Sequence, residues 1–392
     1  MDRYLGAEEA AARLGVSRQT LYAYVSRGLL KAHDGADPRQ SRYLAEDVAR
    51  LAKERRRGRR PKEIARSTLD WGLPVLESAL TLIEGERLYF RGRDAAALAE
   101  HATLEDIAGL LWHVEPALAF PSRAPDVPPA YAALLPCLAP QPANETLLPL
   151  FAAATDDDAT ASWRDPGLEA RGAGALVRHL AAAALRAAPS AEPVHLQLAR
   201  AFGTDAAGAD LIRRALVLCA DHELNASGFT ARCVASTGAS LRAAVIGGLA
   251  ALSGFRHGGA TARVESFWGS LDGGDMAGRI RRRLESGEPL PGFHHPLYPN
   301  GDVRAKALLP LVLPRLPQAG EIITCVADLT GQPPSIDFAL VALRRALGLP
   351  EGSAFLLFAI GRCVGWIAHA REQRATQALI RPRAVYTGPR PD

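Results

Sequence analysis

The sequence predicts a mostly α-helical protein of more than one domain, and three observations carry this. The chain has 392 residues, enough for a large core and for division into domains. Alanine, leucine and arginine dominate while aromatics reach only 6%, a bias toward helix formers. Apolar residues recur at helical spacing: in "LRAAVIGGLAAL" these are Leu241, Val245, Leu249 and Leu252, and Gly247 and Gly248 permit close helix contact. The overall balance, 48% hydrophobic and 22% charged, is that of a soluble globular protein.

Residues 6–30 read as two short helices joined by a tight turn. "AEEAAARLG" opens with acids that suit a helix N-terminus and stops at Gly15. Ser17 is a good N-cap for the second helix, with Val16 and Leu21 at hydrophobic-staple spacing. Positions 10, 14, 16, 21 and 25 close a small core, which leaves Arg18, Gln19, Tyr22 and Arg27 outside. "KAHDGADPRQSRYLAEDVARLAKE" adds a turn flanked by basic residues, then a helix from about Ala45. With "GVSRQTLYAYVSRGLL" carrying the match, this stretch resembles the winged helix-turn-helix of MerR-type and excisionase-type proteins. The resemblance implies DNA binding: the second helix enters a major groove and the turn near Arg39 and Arg42 forms a wing. Helical pairs of this kind also serve as docking modules, and that alternative stays open. Residues 50–66 hold nine Lys/Arg against two Glu, a local charge of +7, while the rest of the chain beyond them carries about −3. A polyanion partner is therefore expected at this basic linker, within a front module of residues 1–66.

From Ser67 onward the composition changes. The proline-rich stretch 115–142 is expected to be irregular connection broken by short helices, and 155–174 reads as polar and turn-rich. Residues 352–370 are apolar enough to suggest a membrane span, but Arg362 near the centre would cost roughly 2.5–3.5 kcal/mol there. A buried helix in a soluble protein is the better reading, with no membrane partner. Its cation needs an anion beside it, either an internal salt bridge or a bound substrate carboxylate. The five cysteines (137, 219, 233, 325 and 363) are scattered and form no CxxC pair, so they read as buried thiols in a reducing, cytoplasmic setting. The opening "MDRYLGAEEA" lacks a secretory h-region. Cys219 and His222 have no second ligand pair, so no metal is expected. No GxGxxG or GxxxxGK[ST] cradle for phosphate occurs.

Three segments carry histidines in suggestive settings: "CADHELNASGFTARCVASTG", "LSGFRHGGATARVE" and "PGFHHPLYPNGDVR". Pro296 holds His295 in extended backbone, hence in a loop. Adjacent extended residues point opposite ways, so only one of His294 and His295 faces a given pocket. The Gly-Gly after His257 leaves room for a ligand to approach the backbone. A fourth segment, "GQPPSIDFALVALRRALGLP", places Asp337 ahead of an apolar helix, where it either caps the helix or does chemistry.

In this order and spacing these segments resemble citrate synthase, over roughly residues 68–392. "LTLIEGERLYFRGRDAAALAEHATLEDIAGLLW" is similar to the family's opening hairpin-and-helix region, and "RPRAVYTGP" to its end. The resemblance implies a helical two-domain fold, with a large domain over 67–257 and 341–392 and a small domain over 258–340. It implies a homodimer and no cofactor, with oxaloacetate and an acyl-CoA as substrates. Acetyl-CoA is favoured, and propionyl-CoA, the substrate of 2-methylcitrate synthases, is the alternative.

The residue roles follow from the same resemblance. Asp337 is the base that deprotonates the acyl methyl group, His257 donates to the thioester oxygen, and His295 polarises the ketone. His222, Arg304 and Arg362 bind oxaloacetate, and Arg381 comes from the neighbouring subunit. Four departures from the family pattern surround this set: His294 in place of glycine, Phe255 in place of proline, Gly228 where threonine is common, and Ser335 where asparagine often stands. A second reading makes the protein a DNA-binding regulator whose synthase domain senses ligand with little turnover.

Overall fold

The computed structural model describes residues 4–14, 16, 18–26, 30, 32–34, 41–45, 47–49, 76–154, 165–384 and 386–389. It divides into two compact units, Met1–Glu77 with Arg383–Asp392, and Ser78–Pro382.

In the first unit, strand β1 (Tyr4–Gly6) leads into helices α1 (Ala7–Leu14) and α2 (Arg18–Ser26), followed by β2 (Ala32–Asp34) and β3 (Ser41–Leu44). The strand order is β1-β3-β2, with His33 opposite Arg42. Ala10, Leu14 and Leu21 are buried together with Leu5, Tyr43 and Val48, while Val16 and Val25 pack against them. The core positions expected for the helix pair are therefore filled. β1 was not anticipated; three residues are too short to show an alternating pattern. Tyr22 and Arg42 are exposed, and β2 and β3 flank the expected wing. Ser17, Arg27, Arg39, the side chains of Arg18 and Gln19, and the basic linker 50–66 lie outside the described residues.

The second unit opens with a small sheet: β4 (Thr81–Glu84), β5 (Arg87–Phe90) and β6 (Arg93–Asp94). Helices follow: α3 (Ala95–His101), α4 (Leu104–Trp112), α5 (Pro116–Ala119), α6 (Pro129–Leu138), α7 (Ala143–Ala153), α8 (Pro166–Leu185), α9 (Val194–Phe202) and α10 (Ala206–Cys219). The remainder are α11 (Ala226–Ser236), α12 (Leu241–Leu252), α13 (Ala260–Ser270), α14 (Met276–Glu285), α15 (Val303–Val312), α16 (Pro317–Thr330), α17 (Ile336–Ala346) and α18 (Ser353–Thr376). Side-chain caps start many of them. Thr103 and Asp106 form a reciprocal capping box on α4, and Asp205, Asn225, Ser240 and Asp302 cap α10, α11, α12 and α15. Each such cap contributes about 1 kcal/mol.

The unit is built around α18, which packs against α4, α10, α11 and α12. From Ser353 to Ala370 every residue of it is buried, as expected for a core helix. Two neighbours explain the glycine pair of α12: a Cβ on Gly248 would stand 2.6 Å from the Trp366 ring, and one on Gly247 would stand 2.9 Å from Val234.

Three expectations are corrected. Residues 166–174 are not turn but the first turns of α8, because Asp165 caps the helix and Pro166 sits at its first position, where no amide is needed. The cysteines are not all buried: Cys137 is exposed, and Cys233 and Cys325 are half-buried. Gly258 and Gly259 do not open space for a ligand. A Cβ at Gly258 would meet Leu252, and one at Gly259 the Ser253 carbonyl, each at 2.6 Å, so the chain itself fills that space.

Candidate active site

The C-terminal end of α10 and the loop after it supply the first group. His222 lies three residues past the last turn and is buried, with Nε2 2.9 Å from the Tyr298 hydroxyl. Its ring meets that of His295 edge-on, centroids 5.3 Å apart. Burial holds its pKa well below the usual histidine value, and Arg304 and Arg362 add to the effect.

His295 sits in a loop, as the proline after it requires, and its Nδ1 accepts the Leu297 backbone N–H at 3.2 Å. That bond leaves the ring proton on Nε2. Burial, then Arg304, push its pKa down to about 4, so the imidazole is neutral near pH 7. His294 is exposed, and only His295 turns inward. The reason differs from the one expected. His294 is not extended but left-handed, at φ +64°, the region that favours glycine.

His257 precedes α13, with Nε2 2.8 Å from the Ser227 hydroxyl and its ring edge-on to Phe358 at 6.1 Å. Burial, then Arg362 and Arg304, push its pKa down to about 3. The Ser227 hydroxyl also donates to Asn225 Oδ1 at 2.7 Å, and that oxygen accepts the Ser227 and Gly228 backbone N–H groups as well.

The two arginines differ. Arg304 is locked to Asp302, whose carboxylate also accepts the Ile336 backbone N–H at 2.9 Å. Arg362 donates Nε–H to the Cys219 carbonyl at 2.8 Å and lies over the Phe358 ring at 4.9 Å. Its Nη2 is buried and, among the described residues, has no hydrogen-bond partner. Burial lowers its pKa to about 10, against the opposing pull of Asp221. The internal salt bridge considered for this cation is absent among the described residues.

Asp337 is the second residue of α17, and Ser335 holds the cap position. Among the described residues Asp337 Oδ1 is buried without a hydrogen-bond partner, and Oδ2 lies 3.4 Å from the Ser335 hydroxyl. Burial raises its pKa to about 6, with Arg304 pulling the other way. A buried carboxyl whose pKa lies about a unit below neutral is a suitable proton acceptor near pH 7.

The fold thus brings His222, His257, His295, Arg304, Asp337 and Arg362 into one electrostatically coupled group. Arg381 stands apart: it is exposed beyond α18 and donates to the Pro382 carbonyl at 3.0 Å.

Comparison with known proteins places the chain in a family. Residues 138–383 match the family described as "Citrate synthase, C-terminal domain", and residues 4–56 match a helix-turn-helix domain family. Citrate synthase 2 of Bacillus subtilis (strain 168) is 31% identical over 357 residues, covering 81% of this chain and 95% of that protein. The chain belongs to the citrate synthase family.

Citrate synthases are acyltransferases of the condensing type, and solved members share this architecture. The crystal structure of citrate synthase from Thermotoga maritima MSB8 superposes with a TM-score of 0.67 at 25% identity, covering 81% of this chain and 94% of that one. A ternary complex of the Thermoplasma acidophilum citrate synthase with carboxymethyl coenzyme A and oxaloacetate gives the same TM-score at 24% identity. It covers 82% of this chain and 95% of that chain.

Sequence reasoning missed several residues of this citrate synthase site. Tyr298 and Asp302 stand inside the stretch "PGFHHPLYPNGDVR", yet nothing in their spacing says that one meets His222 and the other clamps Arg304. Ser227 follows His222 by five residues but meets His257 in space, and Asn225 accepts its hydroxyl proton.

Proposed function

We propose that the protein condenses an acyl-CoA with oxaloacetate and hydrolyses the resulting thioester, with acetyl-CoA as the favoured acyl donor and propionyl-CoA as the alternative. The observation that carries this is Asp337, a buried carboxylate whose Oδ1 has no hydrogen-bond partner among the described residues and whose pKa is raised to about 6. A site that only senses ligand has no use for such a base.

Asp337 takes a proton from the methyl carbon beside the thioester. His257 steadies the developing enolate oxygen, with its Nε2 2.8 Å from the Ser227 hydroxyl. The enolate carbon then attacks the ketone carbon of oxaloacetate, and His295 Nε2–H supplies the proton that the new alkoxide takes up. A neutral donor suits both steps, since its proton is shared with the oxygen only as negative charge builds. Water then cleaves the thioester to citrate and free thiol. Arg362 Nη2 and the Arg304 guanidinium bind the two carboxylates, with His222 beside them.

In this reading no cofactor takes part. Residues 67–257 with 341–392 form the large part, 258–340 the small one, and a homodimer supplies Arg381 from the neighbouring subunit. The deciding experiment is thiol release with oxaloacetate and either acetyl-CoA or propionyl-CoA, corrected for the protein's own five cysteines. Oxaloacetate-dependent release establishes the enzyme, and the ratio of rates sets the acyl group. The match of residues 4–56 to a helix-turn-helix family favours a second reading, a DNA-binding regulator that senses these ligands. Oxaloacetate binding without turnover, together with DNA affinity that changes with ligand, would support it.

A further inference from the structure

Behind the site lies a buried group that the mechanism above does not use. The Asp221 carboxylate is fully buried beside His222. Its Oδ2 accepts the Thr81 hydroxyl at 2.5 Å, which ties it to β4. Its Oδ1 lies 3.3 Å from His369 Nε2 on α18, both side chains 0% exposed and the contact bent away from a normal hydrogen bond.

The backbone just before it is stitched to the same helix. Arg362 Nε–H donates to the Cys219 carbonyl, and the Gly365 backbone N–H donates to the Ala220 carbonyl at 3.0 Å. Positions 362, 365 and 369 share one face of α18 and meet residues 219, 220 and 221 in turn. Gly365 is fixed by this approach, since a Cβ there would run into Asp221 Oδ1 and the Ala220 carbonyl.

The charges have a matching logic. Arg304 has a carboxylate pressed against it and, among the described residues, Arg362 has none, although Asp221 exerts the largest opposing charge on it. An acid in direct contact would fill Nη2; one held off by Thr81 and His369 keeps the cation charged and leaves that donor open. Gly228 contributes too. It packs beside the His369 ring, and a side chain there would begin 3.5 Å from Nε2, so glycine leaves Asp221 as the ring's polar neighbour.

We propose that Asp221, held by Thr81 and His369, is a positioning residue that sets His222 and Arg362 for the oxo-acid carboxylate without touching substrate. This rests on the assignment of Arg362 and His222 to oxaloacetate. The test compares full-length Asp221→Asn, Thr81→Val and Thr81→Ser with the unsubstituted protein. Oxaloacetate Kd is measured by calorimetry, KM and kcat for both substrates by thiol release, and Tm in parallel.

The expected result is that Asp221→Asn and Thr81→Val weaken oxaloacetate about tenfold or more, the size of a lost charge-assisted hydrogen bond. Acyl-CoA KM stays within about twofold, and Thr81→Ser, which keeps the hydroxyl, restores affinity. Equal oxaloacetate affinity in Thr81→Val and Thr81→Ser overturns the proposal. So does a parallel fall of both substrate affinities with Tm, which marks a purely structural role. If Asp221→Asn does not fold, the milder Thr81 pair decides. Failure of the unsubstituted protein to bind oxaloacetate overturns the site assignment itself, and this inference with it.

Discussion

Asp302 grips Arg304 through two bonds, Oδ1 to Nε at 2.9 Å and Oδ2 to Nη2 at 2.8 Å, with the two side chains only 0% and 3% exposed. Arg362, equally buried, has no such acid among the described residues. Removing Arg304 therefore strands a buried carboxylate, at a cost of about 3–5 kcal/mol, whereas removing Arg362 leaves only the Cys219 carbonyl unpaired, at about 1 kcal/mol. Arg304→Met should lower Tm sharply and Arg362→Met little, while both lose oxaloacetate affinity in calorimetry. Equal Tm losses would give Arg362 a structural role.

Asp337→Asn should abolish condensation and leave oxaloacetate binding intact. The same variant tests the electrostatics. An acid whose folded pKa is about 6, above its ordinary 3.8, makes the native state hold the proton more tightly, so the buried charge costs stability above pH 6 and nothing below about 3.8. The amide variant should gain up to about 3 kcal/mol at pH 8, and the gain should vanish near pH 4 in urea melts.

The pH–rate profile follows from the same values. Turnover needs Asp337 ionised, so kcat/KM should fall about tenfold per pH unit below about 6. His257 and His295, pushed down to about 3 and 4, stay neutral through that range and add no second break above pH 4. A break near 6.5 that survives in an Asp337→Glu enzyme would contradict this.

His295→Ala should cost far more turnover than His294→Ala. His294→Gly should also raise stability by about 1 kcal/mol, because the left-handed backbone at φ +64° suits glycine without strain. A larger catalytic loss at His294 would overturn the assignment of the pair.

Deletion of residues 1–66 should preserve thiol release, since the first unit has its own core of Leu5, Leu21, Tyr43 and their neighbours. DNA affinity of the intact chain, if electrostatic, should fall steeply between 50 and 200 mM salt, by roughly a thousandfold for six phosphate contacts. Loss of the oligomer on deletion would instead favour a docking role.

Much of this was legible in the linear chain because the signals are local. Helical spacing, the proline after His295 and a lone cation, Arg362, on an apolar stretch each concern a few neighbouring residues. The turn-rich reading of 166–174 failed because glycine and charge also suit a helix whose backbone packs closely. A Cβ on Gly174 would collide with the Ala119 carbonyl of α5, a contact from more than fifty residues away.

By itself, the sequence determined the helical class, the front helix pair, the citrate synthase likeness and the residue types able to do the chemistry. Only the tertiary structure decided which of two arginines has its own acid, that Asp337 Oδ1 is unpartnered, that His294 is left-handed and that Asp221 meets Thr81 and His369. Those are statements about desolvation and pairing across separate helices. They depend on which surfaces exclude water together, and spacing along one chain does not encode that.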